Sequence, residues 1–299
     1  MPLARFEMQA SSRRGVFFSL LAFTSWGCLP LFWRLLSAAS PLDILAHRIL
    51  WSLPFALGLT VLLRKPRVRE IFSSSGRFLS VLLSGSLIGV NWGVYIWAVN
   101  SGMNIEASLG YYMNPLFSIG LGCIFLGERP TKLQWVAIAC AALGIGIRLT
   151  GYGRFPLVAI VLMTSFGFYG LVKKRAGLDA LTALAGETLV LSPLALGFIL
   201  FGAWHGSGAM LSGNPSLVTL LVLAGPVTTL PLWWFALGAQ SIPLSSVGFF
   251  QFISPTLQLL LGVYVFGEAF GSENAISFGL IWTGLLIYAL SFLPAFRKV

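Results

Sequence analysis

Four titratable side chains stand where an apolar run would normally exclude charge: His47, Arg48, Glu106 and Glu187. Arg48 lies roughly 8 Å along a helix from its mouth at Asp43, at 1.5 Å per residue. A guanidinium at that depth must be paired, hydrated or snorkelled back to the interface. It therefore either locks helices together or faces a water-filled cavity and binds an anionic group. His47 offers a ring that titrates near neutral pH, usable as a proton carrier or as a structural group. Glu106 opens an apolar run, where a helix N-terminus favours an anion. Its depth matches that of Arg48, so an Arg48–Glu106 ion pair is expected. Glu187 is the deepest acid, roughly 12 Å along its helix from Asp179. Unpartnered, such a carboxyl has a raised pKa and exchanges a proton near neutral pH. The alternative is neutralisation by Lys173 or Lys174.

Amides and aromatics gather at similar depth. They are Asn91, Trp92 and Tyr95; Tyr111, Tyr112 and Asn114; Trp233 and Trp234; Phe249, Phe250 and Gln251. A mid-membrane amide has four hydrogen-bonding sites to satisfy, so it bridges helices or lines a polar cavity. Rings with a few amides suit a flat or amphipathic small molecule. The expected binding set is Arg48, Asn91, Trp92, Tyr95, Tyr112, Asn114, Phe250 and Gln251. Pro115 and Pro255 sit inside apolar runs, where each frees a carbonyl one turn earlier. Each is a static kink or a hinge at the cavity edge.

These residues need lipid around them. Of 299 residues, 9% are charged and 57% are hydrophobic, against about 25% charged in an ordinary soluble domain. Ten apolar windows can be marked, at 15–36, 43–63, 79–99, 106–126, 132–149, 155–172, 179–202, 217–238, 244–266 and 275–295. Each matches the roughly 20 residues of a spanning helix and is too long for a barrel strand. The first run, with Arg34 near its end, is too long for a signal peptide's apolar core, so it is expected to be a retained span.

The net charge of +10 comes from Lys and Arg in the short gaps between runs, not along an exposed face, which argues against nucleic acid. With the N-terminus inside, inner segments hold fifteen Lys and Arg, while the outer gaps hold Arg148 and Arg154. That bias places both termini in the cytoplasm. Cys28, Cys123 and Cys140 lack any framework spacing, so neither disulfide nor metal is indicated and no cofactor is expected.

The chain repeats itself. A shift of 140 lays Pro115 on Pro255, Gly127-Glu128 on Gly267-Glu268, Gly144 on Gly284, and Gly27 on Gly167. Segment 1–14 then precedes a first five-helix unit, 15–149, and a second, 155–295. Five is odd, so the second unit enters the membrane inverted, with a site near the midplane between the two. Gly-Glu closes the fourth helix of each unit, where Gly lets the helix stop and Glu128 and Glu268 read as interface structure. One chain carrying both halves favours a monomer.

A fourth helix containing Pro and ending in Gly-Glu, in a five-helix repeat, resembles the EamA domain of the drug/metabolite transporter superfamily. The strings "LAHRILWS", "GVNWGVYIWAVN", "EASLGYYMNPL", "FLGERP", "FGFYGLVKK" and "VGFFQFISPTL" are similar to its RarD-like branch, across nearly the whole chain. The resemblance implies an all-α, ten-helix bacterial inner-membrane permease for a small molecule, surrounded by lipid. A membrane enzyme would want His, Asp or Ser clusters at one face; here the two His are far apart in sequence and the outer gaps are nearly bare of titratable groups. A lipid flippase on the same fold and a non-transporting scaffold are the other readings; the scaffold would not need Arg48 and Glu187 within the spans.

Overall fold

In lipid, backbone N–H and C=O groups have only the chain itself to bond, so apolar runs of this length close into helices. The computed structural model describes residues 2–65, 68–150, 155–267 and 272–292. They form α1 (Pro2–Leu35), α2 (Pro41–Leu62), α3 (Ser75–Asn100), α4 (Asn104–Leu126), α5 (Lys132–Thr150), α6 (Leu157–Arg175), α7 (Ala180–Trp204), α8 (Pro215–Ser241), α9 (Leu244–Gln251), α10 (Ile253–Tyr264) and α11 (Ser272–Leu290). No strand occurs among the described residues. Among the described residues, nine stretches are long and apolar enough to cross a membrane, α9 and α10 together counting as one. The tenth expected span is α11, whose apolar part Ala275–Leu290 is shorter. The all-helical, polytopic architecture is as the sequence led us to expect.

Helix ends follow local chemistry. Ser40 caps α2 by accepting from the Asp43 N–H at 3.1 Å, with Pro41 opening the helix. Gly127 ends α4 in the left-handed region, φ 65°, and the Glu128 N–H returns to the Gly122 carbonyl at 3.1 Å. Gly267 holds the same conformation, φ 71°. Glu268 lies outside the described residues.

Asp179 caps α7, accepting from the Leu181 and Thr182 N–H groups, and pairs with Lys65 at 2.9 Å. Burial pushes its carboxyl up; the Lys65 hydrogen bond and the two N–H groups outweigh that and hold it below its ordinary 3.8. Its contribution is therefore complete above that value and lost as pH falls through the lowered one. At neutral pH, Asp179→Ala should cost about 1 kcal/mol through the lost cap. Asp179→Asn keeps an acceptor and should cost less, since the Lys65 pair is half exposed. Thermal unfolding in detergent separates the two.

The main packed pairs are α5 with α11, α4 with α6, α2 with α7 and α8, α1 with α8 and α10, α3 with α6 and α7, and α4 with α9. Small residues set the closest crossings. A Cβ at Gly225 would lie 2.4 Å from the Trp51 carbonyl carbon, where Ser52 also donates to the Gly225 carbonyl at 3.2 Å. Outward side chains such as Ile124, Leu194 and Phe201 are exposed and apolar, as a lipid-facing surface requires.

Candidate functional site

Arg64, Lys65, Arg77, Arg129, Lys132, Lys174 and Arg175 mark one end of the bundle. Contacts tie that basic end together: Lys65 to Asp179, Arg175 to the Phe125 carbonyl, and Lys174 to the Ala239 carbonyl at 3.0 Å. A cavity of about 500 Å³ occupies the other half. Its lining reaches the far end at Trp33, Arg148 and Phe266, and goes down to Phe23 and Phe166.

Seven of the eight expected binding residues line it: Arg48, Asn91, Trp92, Tyr95, Tyr112, Asn114 and Gln251. Phe250 does not. It packs against the hydrophobic core instead, because α9 turns that face away from the cavity. Pro255 lines the cavity.

Arg48 lies 4.1 Å from the Trp92 ring centre and 5.5 Å from that of Trp33. Its Nε is buried without a hydrogen-bond partner. The ion pair expected with Glu106 is not formed. Glu106 instead accepts the Val158 N–H at 2.7 Å, across to the start of α6. Equal depth was the only basis for that pairing, and depth leaves the direction around the helix undefined. His47 is buried, with Nδ1 unpartnered, and is not among the lining residues.

The amides divide their work. Asn91 bridges helices, donating to the Leu162 carbonyl at 2.9 Å and to Ser165 Oγ at 3.0 Å. Gln251 donates to Ser118 Oγ at 3.0 Å. Asn114 is 3% exposed and its Oδ1 has no donor. Tyr95 meets Tyr111 edge to face at 5.5 Å, and Arg148 lies 4.7 Å from the Tyr112 ring centre.

Below the cavity is an aromatic floor. Trp26 and Phe166 meet at 5.7 Å, Phe166 meets Phe235 at 5.2 Å, and Tyr169 stacks on Phe235 at 5.8 Å. Beneath the floor lies Glu187. Lys173 Nζ sits 2.6 Å from its Oε1, and both side chains are 1% exposed. The ammonium misses hydrogen-bond angles; at that separation charge attraction alone holds the pair. Ser84 donates to Oε1 at 2.5 Å and Tyr169 to Oε2 at 3.3 Å. Glu187 is thus a partnered carboxylate, the alternative in which Lys173 neutralises it.

The two prolines differ. α4 runs unbroken through Pro115, whereas the helix of Pro255 breaks into α9 and α10 at Phe252. Sequence reasoning missed Trp26, Trp33 and Thr228 in the lining, and counted Arg148 only as a loop charge. Arg148 in the last turn of an otherwise apolar helix was the one usable signal.

A lipid-embedded helical bundle around a one-sided cavity of aromatic rings and a few polar groups is the architecture of a membrane transporter. A family model for EamA-like transporters matches residues 13–150. An uncharacterized transporter of Vibrio cholerae is 44% identical over 96% of this chain and 95% of its own. Protein RarD of Streptomyces exfoliatus is 39% identical over 98% and 93%. The chain belongs to the EamA-like transporter family, in its RarD-like branch. A crystal structure at 20% identity shares the fold, with a TM-score of 0.72 over 94% of this chain and 98% of that one.

Proposed function

We propose that this protein carries a small organic solute, such as an amino-acid-like compound, another metabolite or a drug, across the bacterial inner membrane by alternating access, with both termini cytoplasmic. The observation that carries the reading is the cavity itself: aromatic-walled with a few polar groups, reaching one end of the bundle and closed toward the basic end by the aromatic floor.

Two inverted five-helix units would supply the second access state by exchanging conformations. Packing supports this. A Cβ at Gly144 would come 2.6 Å from the Ser277 carbonyl, and one at Gly284 would come 2.7 Å from the Ala137 carbonyl. Those two contacts interchange under the 140-residue shift. So do Gly27 against Leu257 and Gly167 against Phe117. The break before Pro255 makes α9 the movable piece, with Pro255 as its hinge.

The test uses Ser254→Cys, at the cavity wall, in a background lacking Cys28, Cys123 and Cys140. A membrane-impermeant maleimide should label it from the periplasmic side in intact cells and, more slowly, from the cytoplasmic side in inverted vesicles. Adding Pro255→Ala should slow the second labelling about tenfold, as expected if the hinge contributes roughly 1.4 kcal/mol to opening. Labelling from one side only, under every condition, would remove alternating access.

A further inference from the structure

We propose that the cavity selects organic anions: a carboxylate on a flat or amphipathic body, its charged group seated on Arg48. This deepens the reading of the cavity as the transport site and rests on it.

The charge balance comes first. Arg48 and Arg148 line the cavity, and no Asp or Glu is among the described lining residues. The nearby acids are turned elsewhere, Glu106 to the Val158 N–H and Glu187 to Lys173. A cationic solute would meet the Arg48 guanidinium with no described carboxylate beside it, in a site where low dielectric magnifies the repulsion.

Arg48 supplies the specific contact. Trp92 and Trp33 hold the guanidinium by ring faces, at 4.1 and 5.5 Å. Ring faces satisfy a cation's charge in part but accept none of its in-plane N–H groups. No described residue supplies a carboxylate or a hydrogen-bond acceptor to it. A fork of unfilled donors on a cavity wall matches a carboxylate, which accepts it bidentately. Elsewhere on the wall, Asn114 Oδ1 lacks a donor and the Thr228 hydroxyl lacks a partner. Trp92, Tyr95 and Tyr111 offer rings for the ligand's apolar body.

Three probes of one shape test this: phenylacetate, phenylacetamide and phenethylamine. Each is titrated calorimetrically into the full chain in detergent, as wild type, Arg48→Gln and Arg48→Lys. Phenylacetate should bind wild type about tenfold or more tighter than the amide, the range of a charge-assisted hydrogen bond. Phenethylamine should not bind. Arg48→Gln should erase the preference. Arg48→Lys keeps the charge and should retain it at lower affinity, which also covers a Gln variant that fails to fold. The proposal is overturned if the amide or amine binds as well as the carboxylate, if all three fail at millimolar concentration, or if Arg48→Gln keeps the preference. Counterflow in proteoliposomes separates the two readings. Phenylacetate that binds without counterflow leaves the anion site and removes transport; counterflow of phenethylamine keeps transport and removes the anion site.

Discussion

Glu187→Gln should destabilise the protein by about 3–5 kcal/mol, the usual cost of orphaning one member of a buried ion pair. The variant leaves the Lys173 ammonium in a site that is 1% exposed, beside Tyr169 and with no other carboxylate given by the structure. Lys173 sits in the last turn of α6, next to Lys174 and Arg175. A lysine there would ordinarily reach for the headgroups; this one turns into the bundle, and among the described residues Glu187 is the carboxylate that compensates it. Lys173→Met should cost less, because Ser84 and Tyr169 still donate to the carboxylate. The double variant Lys173→Met/Glu187→Gln should return to within about 1 kcal/mol of wild type, since removing both charges together is often neutral. Thermal unfolding in detergent reads all four proteins. A Glu187→Gln protein as stable as wild type would mean that the pair does not lock α6 to α7. The double variant also frees the question of proton coupling from misfolding. Flux that still follows an imposed pH gradient in the folded double variant would remove Glu187 from the coupling path; flux that ignores the gradient would place it there.

How far the sequence carries depends on which physical demand each feature answers. Lipid forces long apolar runs, so the helices were legible: α4 ends at Leu126 and α5 begins at Lys132, where the apolar windows put them, whereas α1 already begins at Pro2, ahead of its window at 15–36, because a helix can run on past the apolar stretch. α6 runs on to Arg175, three residues past its window, because Lys173 pairs inward and stays helical. The polar wall was legible for a related reason. Asn91, Asn114 and Gln251 are expensive in lipid, so their presence announced either bridges or a cavity, and they supply both. Ring identity carried no such signal. Trp26 and Trp33 look like any of ten tryptophans in an apolar chain, and Phe250 looks like a lining residue until α9 is oriented. Charge pairing was legible in depth but not in direction. Arg48 turns to the Trp92 ring and Glu106 to the Val158 N–H, while Lys173 on α6 and Glu187 on α7 meet inside the bundle, both buried. The prolines show the same limit: Pro115 and Pro255 occupy equivalent places in the repeat, yet packing around them lets one helix continue and breaks the other.

Glu128→Gln should loosen α9 and speed access from the basic end about tenfold or more. The first N–H groups of a helix have no partner within it, and α9 follows directly on Pro243. Glu128, just past the end of α4, fills the gap: Oε1 accepts from Leu244 at 2.6 Å and Oε2 from Ser245 at 2.8 Å. A full negative charge at a helix N-terminus adds its attraction for the helix dipole. Room for this carboxylate depends on Gly122, where a Cβ would lie 2.5 Å from Oε2. Glutamine keeps one acceptor, replaces the other with a donor aimed at an N–H, and drops the charge. The loss should be about 1.5–3 kcal/mol, the range for hydrogen bonds to a charged group. It falls on the end of α9 opposite the break before Pro255, so a segment held at one end by that break would now be weakly held at the other. Val247, fully buried on α9, reports the result as Val247→Cys in a background without other cysteines. In inverted vesicles, an impermeant maleimide should react with it slowly when Glu128 is present and at least tenfold faster in Glu128→Gln. Glu128→Asp, whose shorter arm cannot span both N–H groups, should fall between. Equal rates in all three would mean that the carboxylate stabilises the helix end without restraining α9, and the gate would then have to be sought at the aromatic floor.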